Sequence, residues 1–163
     1  VQEFYTFDKP KTIVDFFAGI GYFSIQLAKS YPNANIISID KNPDSIKYLK
    51  ENININEIKN VEIINDDCRN VNRMADVIHL GYIGNTLEFL EHAKNCLRKG
   101  GIAIFHETYL NSWLGFMKRA EWKGIPERFS KIMSERGFFT TEFERVKFYG
   151  PNKSHIIAKL VKV

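Results

Sequence analysis

Five places along the chain set a carboxylate, an imidazole or bare glycine backbone at the end of an apolar run: Asp15 with Gly19 and Gly21, Asp40, Asp67, Gly81 with Tyr82, and His106 with Glu107. The first three suit the parts of a nucleoside joined to an amino acid. Glycines at 19 and 21 permit torsions and close approach that a Cβ forbids, so a ligand can lie against N–H groups at a helix N-terminus. Asp15 stands in the approach to that loop, where a carboxylate repels pyrophosphate but can bind an ammonium, directly or through water. Asp40 follows Gly21 by 19 residues, about where doubly wound folds place an acid that accepts hydrogen bonds from the ribose hydroxyls. Asp67 can accept the adenine amino hydrogen while the next backbone N–H, that of Cys68, meets a ring nitrogen. Ordinary alternatives exist. Asp40 could cap a helix, although Asn42 ahead of Pro43 already supplies that cap, and adjacent Asp66 and Asp67 also suit a solvated turn.

The elements that must position these groups follow from periodicity. Thr12 to Phe17 is rich in β-branched and aromatic residues, as in a strand buried on both faces. After the turn at Ala18 to Gly21, Ile20, Phe23, Leu27, Ala28 and Tyr31 recur at helical spacing. Further strands are predicted at Asn35 to Asp40, Val61 to Asn65, Ala75 to Leu80 and Ile102 to Glu107, each ending in one of the singled-out groups. Between them lie a helix carrying Ile46, Leu49 and Ile53, and another from Thr86 with Leu87, Leu90, Ala93 and Leu97 inward, stopped by Gly100 and Gly101. In open α/β sheets, ligands gather outside the carboxyl ends of the strands, and all five places fall there. Leu110 to Trp122 is apolar and basic by turns, and Pro126 to Gly137 reads as one more helix. Thr140 to Tyr149 and Ser154 to Val163 are strand-like runs whose short join makes an antiparallel hairpin. Residues 1–11 read as a lead-in segment lying on the core, with no chemistry assigned, and residues 12–163 as one domain.

A dinucleotide fold begins in a similar way, but its Gly-x-Gly-x-x-Gly fingerprint fails here because the third glycine is Ser24. A dehydrogenase also usually lacks the terminal hairpin. The chain has 163 residues, 44% hydrophobic and 26% charged, which fits one globular domain with a real core. No apolar stretch approaches the ~20 residues needed to span a bilayer, and no signal peptide opens the chain, so a cytoplasmic protein is expected. Cys68 and Cys96 have no metal-ligand spacing, and no metal is expected. The net charge of +4 is compatible with nucleic acid without requiring it. Because the first residue is Val1, a fragment or processed form with upstream domains missing is expected.

Asp-Phe-Phe-Ala-Gly-Ile-Gly-Tyr-Phe at 15–23 resembles motif I of class I S-adenosylmethionine enzymes. With Asp40-Lys41-Asn42-Pro43, Asp67-Cys68-Arg69 and Lys147-Phe148-Tyr149-Gly150-Pro151, the chain resembles, from Thr12 to Val163, the catalytic domain of the archaeal enzymes that modify guanosine-derived bases at tRNA position 37. The resemblance implies a Rossmann-like α/β fold, with a mostly parallel seven-stranded sheet and a terminal antiparallel hairpin. It implies S-adenosylmethionine as group donor, held by Asp15, Phe17, Gly19, Gly21, Tyr22 and Phe23 on the first loop, and by Asp40, Lys41, Asp67, Cys68 and Gly81 on the later ones. The guanine-N1 methyltransferase branch carries Asn-Leu-Pro after the fourth strand, whereas this chain has Leu80-Gly81-Tyr82-Ile83. That departure and His106-Glu107 resemble the wybutosine-synthesis branch, which transfers a 3-amino-3-carboxypropyl group to carbon 7 of 4-demethylwyosine in tRNA(Phe). Asp40 stands where the family often has Glu. On this reading Tyr82, His106 and Glu107 shape the methionine arm or manage the base proton. Their alternatives are a ring stacked on adenine, a satisfied core histidine and a helix cap. Lys147, Lys153 and Arg69 are the expected contacts to the tRNA anticodon region, made by a monomer. A guanine-N1 methyltransferase and a noncatalytic RNA-binding module of the same fold are the competing readings.

Overall fold

The computed structural model describes residues 2–114 and 124–163, with side chains from Phe4 onward. Of the Leu110 to Trp122 stretch, residues 115–122 lie outside the described residues. Seven strands form one sheet: β1 Thr12–Asp15, β2 Asn35–Ile39, β3 Val61–Ile64, β4 Ala75–Leu80, β5 Leu97–Leu110, β6 Phe138–Gly150 and β7 Lys153–Lys162. Their order is β3-β2-β1-β4-β5-β7-β6. The first five run parallel, and β7 enters antiparallel between β5 and β6. This is the fold that the resemblance implies, a class I methyltransferase-like sheet closed by its hairpin. The strand order reverses at β1, between β2 and β4, so the crevice at the carboxyl ends of these strands is where a ligand is expected.

Among the described residues four helices complete the layers: α1 Tyr22–Ser30, α2 Pro43–Ile55, α3 Leu90–Cys96 and α4 Glu127–Glu135. Asn42 caps α2 through its side chain, which accepts from the Asp44 N–H, and Pro43 supplies the first helical position. Alternation along the strands sorts residues between two cores. Ile13, Ile36, Val77, Ile104 and Ile157 pack under Leu27 and Ala28 of α1, with Phe4 and Phe7 of the lead-in segment joining them. Val14, Phe16, Ile78, Leu80, Phe105 and Ile156 face the other way, against α3 and α4.

Two expectations need correction. Ile20 lies in the turn ahead of α1 and is 50% exposed, because the helix starts only at Tyr22. The second concerns the helix after β4. A 3-10 turn at Thr86–Phe89 leads into α3, which ends at Cys96, and Leu97 already belongs to β5. The register jumps from Ala75↔Leu97 to Val77↔Ile102, so the extra residues bulge out of the ladder. Gly100 takes φ +73 there, and a Cβ on Gly101 would fall 2.8 Å from the Arg98 carbonyl oxygen. The glycines serve this bulge rather than a helix stop.

Candidate functional site

β1 delivers Asp15 to the foot of the glycine loop, on the α1 face of the sheet. Its carboxylate is wholly buried. Oδ2 accepts from the Ser24 hydroxyl at 2.8 Å, and Oδ1 lies 3.0 Å from His79 Nδ1 and 3.4 Å from the Phe17 nitrogen. Of the two contacts to a ligand ammonium expected of Asp15, direct or through water, the direct one is not offered, since both oxygens face inward to partners that fix the loop. Parallel register places Asp15 opposite His79, which is why the pair forms.

Gly19 (φ +54) leaves open space where a Cβ would stand, and its N–H donates to Asp40 Oδ2 at 2.8 Å. The same carboxylate accepts from the Asn42 N–H through Oδ1 at 2.9 Å. Asp40 thus ties the end of β2 to the loop, and two backbone bonds still leave lone pairs on a carboxylate that can accept about four. Gly21 takes φ +100, the left-handed torsion expected of it, and a Cβ on it would also come within 2.7 Å of Leu49 Cδ1, where α1 packs on α2.

At the switch point opens a cavity of about 430 Å³, lined by Phe16, Phe17, Asp40, Lys41, Asp66, Asp67, Cys68, Gly81, Tyr82, Ile83 and Phe89. Tyr82 stacks on Phe17 at 5.1 Å between centroids, and Phe89 meets Phe17 edge-on at 4.8 Å, giving the cavity an aromatic wall. Acids stand opposite. Asp67 is gripped by Arg69 Nε at 2.9 Å and Nη2 at 2.7 Å, and accepts the Arg69 N–H at 3.0 Å. These bonds and the guanidinium charge hold its carboxyl well below the usual range and raise the arginine in turn. Arg69 is thus engaged with Asp67 and lies over the Phe89 ring at 5.2 Å, rather than standing as a lone cation for nucleic acid. Burial, reinforced by the Asp67 charge, pushes the Cys68 thiol up to about 12, so it stays protonated at neutral pH and is a poor nucleophile.

Tyr22 and Phe23 do not line this cavity. Tyr22 is 80% exposed, and Phe23 turns inward onto Tyr5, His79 and His106. They open a helix whose first turn points these rings away from the loop. Glu107 also departs from its expected place beside a methionine arm. It is buried on the α3 side and accepts from the N–H groups of Gly84 (3.2 Å), Thr86 (2.6 Å) and Thr108 (2.7 Å), pinning the loop that carries Tyr82. The helix-cap alternative comes nearest, because Thr86 begins the 3-10 turn.

His106 is a satisfied interior histidine. Its Nε2 lies 3.0 Å from the Tyr5 hydroxyl and its Nδ1 3.0 Å from His155 Nε2. Burial, with His79 and His155 nearby, depresses its pKa well below the ordinary value, so it is neutral. Tyr5, His79 and His155 escaped the sequence reading. One signal was available for His79: an imidazole among Val77, Ile78 and Leu80 of a buried strand needs a partner. Lys147 and Lys153 are exposed on the hairpin. Among the described residues no helix is long and apolar enough to cross a membrane, and no group of three or more His, Cys, Asp or Glu is placed to hold a metal ion.

A tRNA(Phe) (4-demethylwyosine(37)-C(7)) aminocarboxypropyltransferase of Methanocaldococcus jannaschii is 32% identical over 151 residues, covering 90% of this chain and 58% of that protein. The tRNA (guanine(37)-N(1))-methyltransferase Trm5b of Pyrococcus abyssi is 41% identical over a shorter match, 59% of this chain and 28% of that protein. The crystal structure of M. jannaschii TYW2 in complex with AdoMet superposes with a TM-score of 0.77 at 31% identity, covering 99% of this chain and 74% of that one. The chain therefore spans little more than half the length of the first of these relatives. The TRM5/TYW2 methyltransferase domain matches residues 5–135, and by that match and these identities the chain belongs to the TRM5/TYW2 methyltransferase family.

Proposed function

We propose that this domain binds S-adenosylmethionine in the cavity at the switch point and, within its whole protein, transfers the 3-amino-3-carboxypropyl group to carbon 7 of 4-demethylwyosine at position 37 of tRNA(Phe). The observation that carries the reading is the cavity walled by Phe17, Tyr82 and Phe89 between Asp40 and Asp67, on a chain 32% identical to an enzyme named for that reaction. Asp40 accepts from the ribose hydroxyls with its remaining lone pairs. Asp67 and the Cys68 N–H meet the adenine edge, and the aromatic wall stacks on its face. Lys41 and Gly81 border the nucleoside, and Gly19 leaves room at the loop. Asp15 works one layer below, holding the loop through Ser24, Phe17 and His79. When bound, the donor supplies a sulfonium with three electrophilic carbons, and the one attacked is the one aligned with the nucleophile. Leu80-Gly81-Tyr82-Ile83, pinned by Glu107, is the segment that sets this alignment. The domain acts as a monomer in this reading.

The full-length protein, incubated with tRNA bearing 4-demethylwyosine and with donor labelled in either the carboxyl or the methyl group, tests the reading. Carboxyl label should enter the tRNA with release of methylthioadenosine. Methyl label in the tRNA, with release of S-adenosylhomocysteine, returns the chain to the methyltransferase branch represented by Trm5b. No transfer of either label, with donor still bound, supports the noncatalytic module.

A further inference from the structure

Four neighbouring strands, β1, β4, β5 and β7, each place one ionisable side chain on the α1 face near the carboxyl edge of the sheet: Asp15, His79, His106 and His155. Tyr5 from the lead-in segment bridges His79 and His106. The contacts run without a break: Asp15 Oδ1 to His79 Nδ1, 3.0 Å; His79 Nε2 to Tyr5 Oη, 3.2 Å; Tyr5 Oη to His106 Nε2, 3.0 Å; His106 Nδ1 to His155 Nε2, 3.0 Å. The partners dictate the tautomers. A carboxylate only accepts, so His79 carries a proton on Nδ1, and the resting state of the relay is the one in which its Nε2 takes the Tyr5 O–H. Tyr5, having donated, accepts from His106 Nε2–H, and His106 Nδ1 accepts from His155 Nε2–H. Every donor then points toward Asp15, and burial keeps His106 and His155 neutral.

The row ends on an acceptor. His155 Nδ1 is buried and has no hydrogen-bond partner among the described residues. His155 sits in register with Thr108 of β5 and Lys147 of β6, and the charges that act on it are those of Lys147 and Glu107. Resting neutrality has physical causes. Burial raises the Tyr5 phenol far above its ordinary value, with the Asp15 charge adding to it, and burial lowers both His106 and His155.

We propose that these five side chains form a proton relay, which takes up at His155 Nδ1 the proton that the acceptor base must release on alkylation and carries it to His79. The inference rests on the reaction proposed above. There, carbon 7 of the base forms a bond to the γ-carbon, the γ-carbon–sulfur bond breaks with its electron pair going to sulfur, and the base is left cationic until carbon 7 loses its proton. That proton reaches His155 Nδ1 through water, the atom itself being buried. The Nε2–H of His155 then passes to His106 Nδ1, the Nε2–H of His106 to Tyr5, and the Tyr5 proton to His79 Nε2. The result is an imidazolium at His79 beside the Asp15 carboxylate, a buried pair in which the charge is matched. It forms under the glycine loop, beside which the sulfonium charge disappears in the same turnover.

Single-turnover transfer by the full-length protein, followed against pH, tests the relay in His155→Gln, His106→Gln and Tyr5→Phe. A glutamine amide at 106 can still bond both neighbours but cannot pass a proton, so the fold is kept and the path is cut. Each variant should lose about 100-fold or more in transfer rate, with its acid-side pH limb abolished, while donor affinity by calorimetry stays within about twofold. Rates near wild type in all three overturn the proposal, as does a loss of rate matched by an equal loss of donor affinity, which marks a purely positioning role. Imidazole 15N spectra of the unmodified protein provide an arm that needs no variant to fold. His79 should carry its proton on Nδ1, and His106 and His155 on Nε2. A charged His106 at neutral pH, or the opposite tautomer there, breaks the chain and overturns the proposal whatever group is transferred. Should the wild type transfer methyl, the reaction reading falls, yet the relay is judged by the same variants, because methylation also releases a base proton. Should it transfer neither group, the proposed proton uptake falls with the reaction, whatever the tautomers.

Discussion

Asp40 shows how one carboxylate can serve both the fold and a ligand. It accepts the Gly19 and Asn42 N–H groups and still borders the cavity. Asp40→Ala should therefore weaken donor binding twice over, by removing the ribose acceptor and by releasing the glycine loop. Hydrogen bonds to a charged acceptor contribute about 1.5–3 kcal/mol each, so the affinity loss should be on the order of 10- to 100-fold. Asp40→Asn, which keeps one acceptor oxygen, should fall between. Calorimetry showing the alanine variant equal to wild type would remove Asp40 from the site.

At the scale of elements, the loop after β4 is held from behind by β5. Glu107 gives its carboxylate to three backbone N–H groups at 84, 86 and 108. Glu107→Ala strands those donors in a buried place, and unsatisfied donors cost about 1–3 kcal/mol each when the site cannot rehydrate. Such a variant should melt several degrees lower, and amide exchange should quicken at 82–86 while β1 and β2 stay protected. Its donor affinity should drop along with transfer, because Tyr82 rides on that loop. A variant with lost transfer but unchanged exchange and melting would put Glu107 back beside the reacting groups.

For the whole molecule, the net charge of +4 and the exposed Lys147 and Lys153 on the hairpin favour a polyanionic partner reaching over the carboxyl edge of the sheet. Phosphate contacts release counterions, so each one adds about 0.7–0.9 to the salt slope of binding. Reversing both lysines to Glu in the full-length protein should lower tRNA affinity and flatten the slope of log K against log salt by about one to two. An unchanged slope, measured by filter binding across a salt series, would move the docking surface elsewhere in the protein.

The parallel half of the sheet was legible because each strand is a short apolar run closed by a polar residue, and α2 because Asn42-Pro43 is a local cap that needs no tertiary help. The same local logic located Asp40, Asp67 and Gly81, which do border one cavity. What sequence could not supply was which side chains meet across strands. Asp15 and His79 are 64 positions apart and touch only because β4 lies beside β1, and His106 and His155 meet only because β7 enters antiparallel beside β5. Period-two alternation says that a side chain faces inward but not which neighbour the register brings to it. Asp15, Glu107 and Phe23 were therefore assigned to a ligand when tertiary packing gives them to the loop, the backbone and the histidine row. Tyr5, in a segment with no periodicity to read, acquired its place only from the histidines of β4 and β5 that it bridges.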